Sequence, residues 1–213
     1  MTDFVDALRA QRLVAIVRGA DPAAATRTVL TLAGEGVGLV EVSMTTPAAL
    51  DVISRARREL GTETSVGAGT VIAAQDADRA ADAGADFVVT PAIVPALGRA
   101  AERGLPLLAG ALTPTEVVAA AAQAGVVAVK LFPASLGGPR YLRALLDPFP
   151  SAALVPVGGV DADAACDYLA AGAVAVGVGS PLIGDAASGG SLDDLRARVR
   201  RFLAAVRDAP RPK

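Results

Sequence analysis

The repeating unit that decides the fold is clearest in residues 104–121, which read GLPLLAGALTPTEVVAAA. A glycine precedes a short apolar run, Thr113 and Pro114 follow as turn residues, and an alanine-rich stretch with helical character comes next. Such units occur eight times, and their apolar runs start 19 to 26 residues apart. This spacing suits one strand and one crossover helix. The eight runs are Val14–Arg18, Leu39–Met44, Ser65–Thr70, Phe87–Thr90, Pro106–Leu112, Ala128–Phe132, Ala153–Gly158 and Ala173–Gly179.

The apolar runs are nearly continuous and do not alternate with polar residues, which is typical of strands that are covered on both faces. Eight such units in one chain favour a closed (β/α)8 TIM barrel over an open doubly wound sheet. We therefore expect one α/β domain over residues 1–213, with an N-terminal helix in residues 1–13. Residues 184–191 are predicted to form a flexible surface loop, and residues 208–213 a flexible tail.

Capping residues predict where the helices begin and end. Asp21-Pro22, Thr46-Pro47 and Thr113-Pro114 each place a capping oxygen before a proline, which is typical of a helix N-terminus. Six glycines follow amphipathic runs and precede strands, where a left-handed backbone is expected. These glycines are Gly36, Gly61, Gly84, Gly104, Gly125 and Gly172.

The composition excludes several classes of protein. With 53% hydrophobic and 20% charged residues, the chain can bury a large core, so disorder is excluded for most of it. A net charge of -2 and 3% aromatic residues argue against a nucleic-acid partner. The chain has no histidine and one cysteine, which excludes Ser-His-Asp triads, Cys-His dyads, disulfides within the chain and His/Cys zinc sites. We expect chemistry without a metal or a cofactor.

The high proportion of apolar residues raises the question of a membrane span. The longest uncharged stretch, Tyr168 to Gly184, has 17 residues and is interrupted by three further glycines and a proline, so it is too short and too broken to cross a bilayer. Charged residues are spaced through the N-terminus, which indicates an amphipathic helix and not a signal peptide. We expect a cytoplasmic protein without a membrane partner.

Three ionisable side chains interrupt the apolar runs, namely Arg18, Glu41 and Lys130. A buried ion costs on the order of several kcal/mol unless it is paired, so these three positions require an explanation. The carboxyl-terminal face of a barrel supplies one, because active sites of this fold lie there. Lysine is also rare in this chain: Lys130 and Lys213 are the only two, whereas arginine accounts for the other 18 basic residues.

The apolar neighbours of Lys130 disfavour its charged form, and a neutral amine is a nucleophile, a role that arginine cannot fill. Glu41 is the only carboxylate within the apolar runs and is a natural proton shuttle in a chain without histidine. Arg18 would hold an anionic group of a substrate. A structural interpretation stays open for each: Lys130 could reach toward solvent, and all three could form internal ion pairs.

Glycine-rich ends of the seventh and eighth runs suggest an anion site. Gly158 and Gly159 follow Val157, and Gly179 precedes Ser180, so backbone amides can approach a phosphate closely. Barrels often bind phosphate at these two loops. The small residues that end the third run leave room there, and Thr70 could offer a hydroxyl group.

Five segments together resemble the class I 2-keto-3-deoxy-6-phosphogluconate aldolase family, which includes the phosphogalactonate and 4-hydroxy-2-oxoglutarate aldolases. The segments are Glu41-Val-Ser-Met44, Val66-Gly-Ala-Gly-Thr70, Val89-Thr-Pro91, Val129-Lys-Leu-Phe-Pro-Ala134 and Val157-Gly-Gly159. The resemblance implies that Lys130 forms a Schiff base and Glu41 is the general acid and base. It also implies a homotrimer that cleaves a phosphorylated keto acid to pyruvate and glyceraldehyde 3-phosphate. Substrate contacts are expected from Arg18, Thr70, Thr90, Pro91, Phe132 and Val157, and phosphate contacts from Gly158, Gly159, Gly179 and Ser180.

The sequence departs from the phosphogluconate branch of this family at two positions. That branch usually has arginine where Thr45 stands and threonine where Val157 stands, and Arg18-Gly19 is closer to the phosphogalactonate branch. Residues 148–150, Pro-Phe-Pro, resemble the phosphogluconate branch instead. The preferred sugar epimer therefore stays open. Two other functions also remain: a phosphosugar isomerase or epimerase with Glu41 as base, and a catalytically silent sensor of phosphorylated ligands.

Overall fold

Eight parallel strands form one sheet in a computed structural model, which describes residues 2–210 and the side chains from residue 4 onward. Each of the first six strands pairs with the next strand along the chain, and the first strand pairs with the eighth. Residues 211–213 of the predicted tail, with Lys213, lie outside the described residues. The strands are β1 Leu13–Val17, β2 Leu39–Ser43, β3 Ser65–Gly69, β4 Val88–Val89, β5 Leu107–Ala111, β6 Val126–Leu131, β7 Leu154–Pro156 and β8 Val176–Val178.

Helices follow the strands and cover the outside of the sheet, as the continuous apolar runs predict. They are α1 Thr2–Gln11, α2 Pro22–Gly34, α3 Ala49–Leu60, α4 Ala74–Asp82, α5 Ala96–Glu102, α6 Pro114–Ala121, α7 Gly138–Leu146, α8 Ala162–Ala170, α9 Ser180–Ile183 and α10 Leu192–Asp208. Contacts between β7 and β8 close the sheet: Val157 bridges Gly177, and the Val174 amide donates to Leu154 O at 3.0 Å. The prediction of a TIM barrel is confirmed.

Two apolar clusters fill the molecule. The larger lies between the sheet and the helices, and the smaller fills the barrel interior. Helix α1 covers the amino-terminal end of the interior with Leu8 and Phe4, and the Phe4 ring lies 4.9 Å from the ring of Phe87. The carboxyl-terminal ends of the strands are thereby left as the accessible mouth of the barrel, which is where this fold binds ligands.

Strand alternation determines which side chains enter the interior. Leu39 and Ala128 belong to the interior cluster. Because side chains two residues apart lie on the same face of a strand, Glu41 and Ser43 face inward from β2, and Lys130 faces inward from β6. The sheet thus places a lysine and a glutamate on one inner surface, at or near the carboxyl ends of their strands.

Two of the three predicted Asp-Pro or Thr-Pro helix starts are confirmed. Asp21 accepts hydrogen bonds from the first turn of α2, and Thr113 forms a capping box with Glu116 at the start of α6. The prediction at Thr46-Pro47 is wrong, because α3 begins at Ala49 after Ala48 has taken a left-handed conformation. The Thr46 hydroxyl instead accepts a hydrogen bond from the Gly19 amide at 3.4 Å.

The predicted helix-ending glycines are confirmed as left-handed. Their φ angles lie between +60° and +111°, which side chains with a Cβ rarely adopt. These glycines are Gly36, Gly61, Gly84, Gly104, Gly125 and Gly172. Each therefore reverses the chain from a helix toward the next strand at the amino-terminal end of the barrel.

Residues 184–191 do not form the flexible surface loop that was expected. They contain a 3-10 helix, Ala186–Ser188, in which Ala186 and Ala187 are buried. A Cβ at Gly19 would overlap the Ala187 carbonyl group, and the Ala20 amide donates to the Ser188 hydroxyl at 3.0 Å. Close packing against the turn after β1 therefore orders this segment.

The start of the predicted tail is also ordered. Ala209 is buried, and its carbonyl accepts a hydrogen bond of 2.8 Å from the Arg12 guanidinium. The same guanidinium donates to Pro210 O at 2.7 Å. Arg12 therefore ties residues 209 and 210 to the turn before β1. Within residues 2–210, no helix combines the length and the apolar character needed to cross a membrane.

Candidate active site

Lys130 and Glu41 lie inside the barrel mouth. Lys130 is the penultimate residue of β6 and is 6% exposed, whereas Glu41 is the central residue of β2 and is 2% exposed. Both strands continue for one or two residues past these positions, so the two side chains lie just below the rim. Of the three ionisable residues that interrupt the apolar runs, the structure thus buries Lys130 and Glu41 in the barrel interior.

Lys130 and Glu41 do not form an ion pair with each other. Among the described residues, no ion pair within 4.0 Å and no hydrogen bond joins Glu41 to Lys130 or Arg18. The Lys130 ammonium nitrogen instead lies 5.4 Å from the centroid of the Phe132 ring. The alternative in which these residues form a structural ion pair is therefore not supported.

Burial raises the pKa of the Glu41 carboxyl group above its ordinary value, because the charged form loses its hydration. The positive charges of Lys130 and Arg18 act in the opposite direction, with Lys130 the stronger of the two. Desolvation is the larger effect. Glu41 therefore holds a proton at a higher pH than an exposed glutamate does, and it can donate a proton as well as accept one.

Glycines keep space open around both groups. A Cβ at Gly69 on β3 would overlap the Glu41 carboxyl group, and a Cβ at Gly110 on β5 would overlap the Pro91 carbonyl. Gly110 is the β5 partner of Lys130 in the sheet. The turn that contains Pro91 can thus lie directly over the strand beside the lysine.

Three hydroxyl groups form a cluster at the carboxyl ends of β2 and β3. The Ser43 hydroxyl lies 2.8 Å from the Thr45 hydroxyl and 3.1 Å from the Thr70 hydroxyl. Ser43 is fully buried, whereas Thr70 is partly exposed with a left-handed φ of +60°. Because Ser43 has one proton, it donates to at most one threonine. Sequence analysis proposed Thr70 but missed Ser43, although its position two residues after Glu41 places it on the same strand face.

A cavity of about 330 Å³ lies at the ends of β1, β6, β7 and β8, and one of its lining residues is Phe132, the ring neighbour of Lys130. Its lining includes Arg18, Phe132 and Val157, which were predicted as substrate contacts, and Gly158, Gly159, Gly179 and Ser180, which were predicted as phosphate contacts. The two loops predicted to bind phosphate therefore meet at one cavity. Gly159 and Gly179 are 20 residues apart in the sequence, so only the closure of the barrel brings the two loops together.

The environment of Arg18 differs from the one that the sequence predicts. It lies one residue beyond β1, and its side chain is exposed, so the prediction of an ion within the strand run is wrong for this residue. The parity of β1 still aims Arg18 toward the mouth, because Val14 and Ile16 on the same face belong to the interior cluster. Solvent at the rim supplies the hydration that the arginine needs.

The glycine loop after β7 has a left-handed backbone, with φ angles of +99° at Gly158 and +74° at Gly159. Within residues 2–210, the amides of Gly158, Gly159 and Gly179 donate no hydrogen bond to the protein. A Cβ at Gly159 would lie 3.0 Å from the Ser135 Cβ. The loop thus offers unused donors at a position where a side chain would be crowded.

Thr90 and Pro91 lie in the turn that follows β4. Thr90 is fully buried, and its hydroxyl donates to the Ala92 carbonyl at 2.7 Å, so its proton is engaged within the turn.

Tyr168, which sequence analysis missed, anchors the turn after β6 because its hydroxyl donates to Ala134 O at 2.8 Å. Burial raises the pKa of Tyr168, which keeps it a donor. Its signal in the sequence was weak, since it lies on a distant helix, α8.

Within the part of the chain that the structure describes, no group of three or more histidine, cysteine, aspartate or glutamate side chains is arranged to hold a metal ion. The donor groups that face the barrel mouth are an amine, a carboxyl group, hydroxyls, a guanidinium and backbone amides. This set can form and protonate a carbon–nitrogen double bond and bind anions.

Comparison with known proteins agrees with this geometry. Residues 5–195 match the family model described as KDPG and KHG aldolase. The chain is 36% identical over 195 residues to a probable 2-dehydro-3-deoxy-6-phosphogalactonate aldolase of Rhizobium meliloti, and the alignment covers 91% of this chain and 90% of that protein. It is 32% identical over 175 residues to a 2-dehydro-3-deoxy-phosphogluconate aldolase of Treponema pallidum, with 80% and 81% covered. The solved native KDPGal structure aligns with a TM-score of 0.86 at 33% identity, over 92% of this chain and 95% of that one.

Proposed function

Because this chain belongs to the KDPG and KHG aldolase family, we propose that Lys130 and Glu41 carry out class I cleavage of a 2-keto-3-deoxy-6-phospho sugar acid. The protein is an aldolase and therefore a carbon–carbon lyase. The observation that supports these two roles is the placement of a buried lysine and a buried glutamate inside one barrel mouth, where neither forms a hydrogen bond or an ion pair with another described residue.

The reaction begins when the neutral amine of Lys130 adds to the C2 carbonyl of the substrate. Loss of water from the resulting carbinolamine gives a protonated imine. Removal of the C4 hydroxyl proton then breaks the C3–C4 bond, and the electron pair moves to the imine nitrogen to form an enamine. Glyceraldehyde 3-phosphate leaves as the aldehyde. Protonation at C3 and hydrolysis of the imine release pyruvate and restore the free lysine.

Glu41 supplies and removes the protons in this sequence. Its raised pKa allows the protonated form to assist the loss of water, and the carboxylate form to accept a proton, directly or through a water molecule. Gly69 allows this carboxyl group to lie against β3, because a Cβ at residue 69 would overlap it. Glu41 is buried on β2 and faces the interior of the barrel, on the same inner surface as Lys130.

The phosphoryl group of the substrate occupies the cavity of about 330 Å³, where the amides of Gly158, Gly159 and Gly179 have no acceptor in the described chain. Backbone amides and the Arg18 guanidinium suit a phosphate dianion. Ser180 adds a hydroxyl group at the same wall. Phe132 lies between Lys130 and the glycine loop, since its ring is 3.3 Å from the position a Gly158 Cβ would take.

The carboxylate end of the substrate lies toward the hydroxyl cluster of Ser43, Thr45 and Thr70, at the carboxyl ends of β2 and β3. Similarity to both phosphogalactonate and phosphogluconate aldolases supports a substrate class that contains both epimers. Val157 presents an apolar surface to the cavity.

The protein is also proposed to assemble as a homotrimer. Two exposed isoleucines support an interface near the barrel mouth: Ile72 after β3 is 50% exposed, and Ile93 after β4 is 41% exposed. The two segments are adjacent, because the Ala96 amide donates to Ile72 O at 3.2 Å. Large apolar side chains grouped in this way are typical of surfaces that a partner covers.

Covalent trapping tests the mechanism. Incubation with pyruvate and borohydride should reduce the imine and attach one pyruvate-derived group to Lys130, as peptide mass spectrometry would detect. Lys130→Arg keeps the positive charge but should abolish both the adduct and turnover, whereas Lys213→Arg is the matched control and should keep both. An adduct on Lys213, or normal cleavage by Lys130→Arg, would exclude this mechanism. An isomerase or a ligand sensor would bind the phosphorylated compound without any borohydride adduct.

A further inference from the structure

Arg198 lies behind the proposed phosphate cavity and contacts its wall. From α10, its Nε donates to Leu182 O at 2.7 Å and its Nη2 donates to Ile183 O at 2.9 Å. Both carbonyls belong to α9, which begins at Ser180. A single guanidinium therefore holds the segment that forms one side of the cavity.

This guanidinium has no carboxylate partner within 4.0 Å among the described residues. The neighbouring arginines of α10 are different. Arg196 and Arg200 pair with Glu35, and Arg201 lies 3.5 Å from Asp163. Arg198 thus keeps an uncompensated positive charge in a partly buried position, where carbonyl oxygens satisfy its hydrogen bonds without neutralising it.

Gly184 borders both the cavity and the Arg198 guanidinium. Gly184 lines the cavity, and a Cβ there would lie 2.7 Å from Arg198 Nη2 and 2.9 Å from Cζ. Its φ of +57° also suits a residue without a side chain. The guanidinium can approach the wall this closely because residue 184 is a glycine.

We propose that Arg198 is a positioning residue for the phosphoryl group: it fixes the segment from Ser180 to Gly184 and adds positive charge to the cavity through its wall. This inference rests on the proposed function, because it concerns the phosphate end of the same site. An uncompensated charge in partly buried surroundings acts over a longer range than a paired surface charge. Arg198 lies beyond residue 195, where the family match ends.

Three variants separate charge from packing. Arg198→Gln removes the charge but keeps an N–H donor for the α9 carbonyls, and Arg198→Lys restores the charge. Arg201→Met is the matched control, because it removes an exposed charge from the same helix. For Arg198→Gln we expect KM for the phosphorylated substrate to rise about threefold to tenfold, the range for a screened charge near a binding site. The kcat/KM for 4-hydroxy-2-oxoglutarate should stay within twofold, and Arg198→Lys should recover most of the loss.

Inorganic phosphate provides a readout that does not depend on the reaction. Phosphate should raise the thermal midpoint of the wild-type protein, and Arg198→Gln should require a threefold to tenfold higher concentration for the same increase. A phosphate requirement within twofold of wild type, or equal losses on both substrates, would overturn the inference. If the wild-type protein fails to cleave the phosphorylated compound while the phosphate titrations still separate the variants, the proposed function fails and the role of Arg198 stands.

Discussion

At the scale of single residues, burial of the Glu41 carboxyl group in the proposed site lowers the stability of the fold. Its carboxyl group is 2% exposed, has no hydrogen-bond partner among the described residues, and has a raised pKa because of desolvation. Burying a charged carboxylate is unfavourable, whereas burying the protonated form costs much less. The cost therefore depends on pH, and a neutral residue of the same shape would avoid it.

The variant Glu41→Gln should stabilise the protein, and the gain should grow with pH. A raised folded-state pKa means that the native state binds its proton more tightly than the unfolded state does. Below the pKa of the unfolded state, near the ordinary glutamate value of 4.5, the carboxyl group is protonated in both states and the variant should gain little stability. As the pH rises toward and through the pKa of the folded state, the wild-type protein loses the stability that comes from protonated Glu41. The variant has no such proton to lose, so its stability does not change for this reason.

Thermal unfolding measured by calorimetry between about pH 4 and pH 8 tests this expectation. The midpoint of Glu41→Gln should exceed that of wild type by about 2 to 4 °C for each kcal/mol gained, with the difference appearing only toward the higher pH. Turnover should fall sharply in the same variant. A difference in midpoint that is constant with pH would show that the charge of Glu41 is not the cause.

At the scale of elements, the loop between β7 and α8 is shaped by its backbone more than by its side chains. Gly158 and Gly159 have left-handed φ angles, and their amides remain free within the described chain. The loop is held in place because the Ser135 amide donates to Gly158 O at 3.1 Å. An anion site made of backbone donors should therefore be sensitive to any side chain introduced at Gly159.

The variant Gly159→Val should reduce affinity for the phosphorylated substrate most, because its Cβ would crowd Ser135 and strain the loop. Binding energy from the phosphate helps to orient the reacting carbons, so turnover of that substrate should fall as well. We expect a loss of about tenfold or more in kcat/KM, against a loss of less than about threefold for 4-hydroxy-2-oxoglutarate, which lacks the phosphate.

Gly104→Val is the matched control for strain. Gly104 has the same φ of +74°, and no described atom lies within 4 Å of the position that its Cβ would take. It lies between α5 and β5, at the opposite end of the barrel. Both variants should lose similar stability, which circular dichroism would measure, but only Gly159→Val should discriminate between the substrates. Equal loss for the two substrates would show that the glycine loop does not bind the phosphate and would leave Arg18 and Ser180 as its proposed ligands in this cavity.

At the scale of the whole molecule, the proposed trimer can be tested by light scattering on the purified protein. We expect three times the mass of one chain, and Ile93→Asp should yield a monomer because a buried aspartate at an apolar interface is unfavourable. Val118→Asp is the matched control: Val118 is 50% exposed on α6 and should leave the mass unchanged. A wild-type monomer, or a trimer in Ile93→Asp, would contradict this assignment of the interface.

Local sequence features predicted most of the barrel because they reflect local physical preferences. Apolar runs of the right length form strands, Asp21 and Thr113 cap helices through neighbouring amides, and Gly104 and Gly125 take left-handed angles that the chain requires at those turns. Thr46 has the same local signal, but α3 begins only at Ala49, and the Thr46 hydroxyl accepts a hydrogen bond from the Gly19 amide in the neighbouring turn after β1.

The sequence by itself determined the barrel, its two inward ionisable residues and its glycine loops, since strand alternation and glycine stereochemistry act over a few residues. Tertiary structure alone decided which groups meet. Ser43 reaches Thr70 because β2 pairs with β3, and Arg198 reaches the wall of the cavity because α10 packs on α9. These contacts join residues 15 or more positions apart. The sequence around a side chain does not indicate a partner that is brought near only by chain folding.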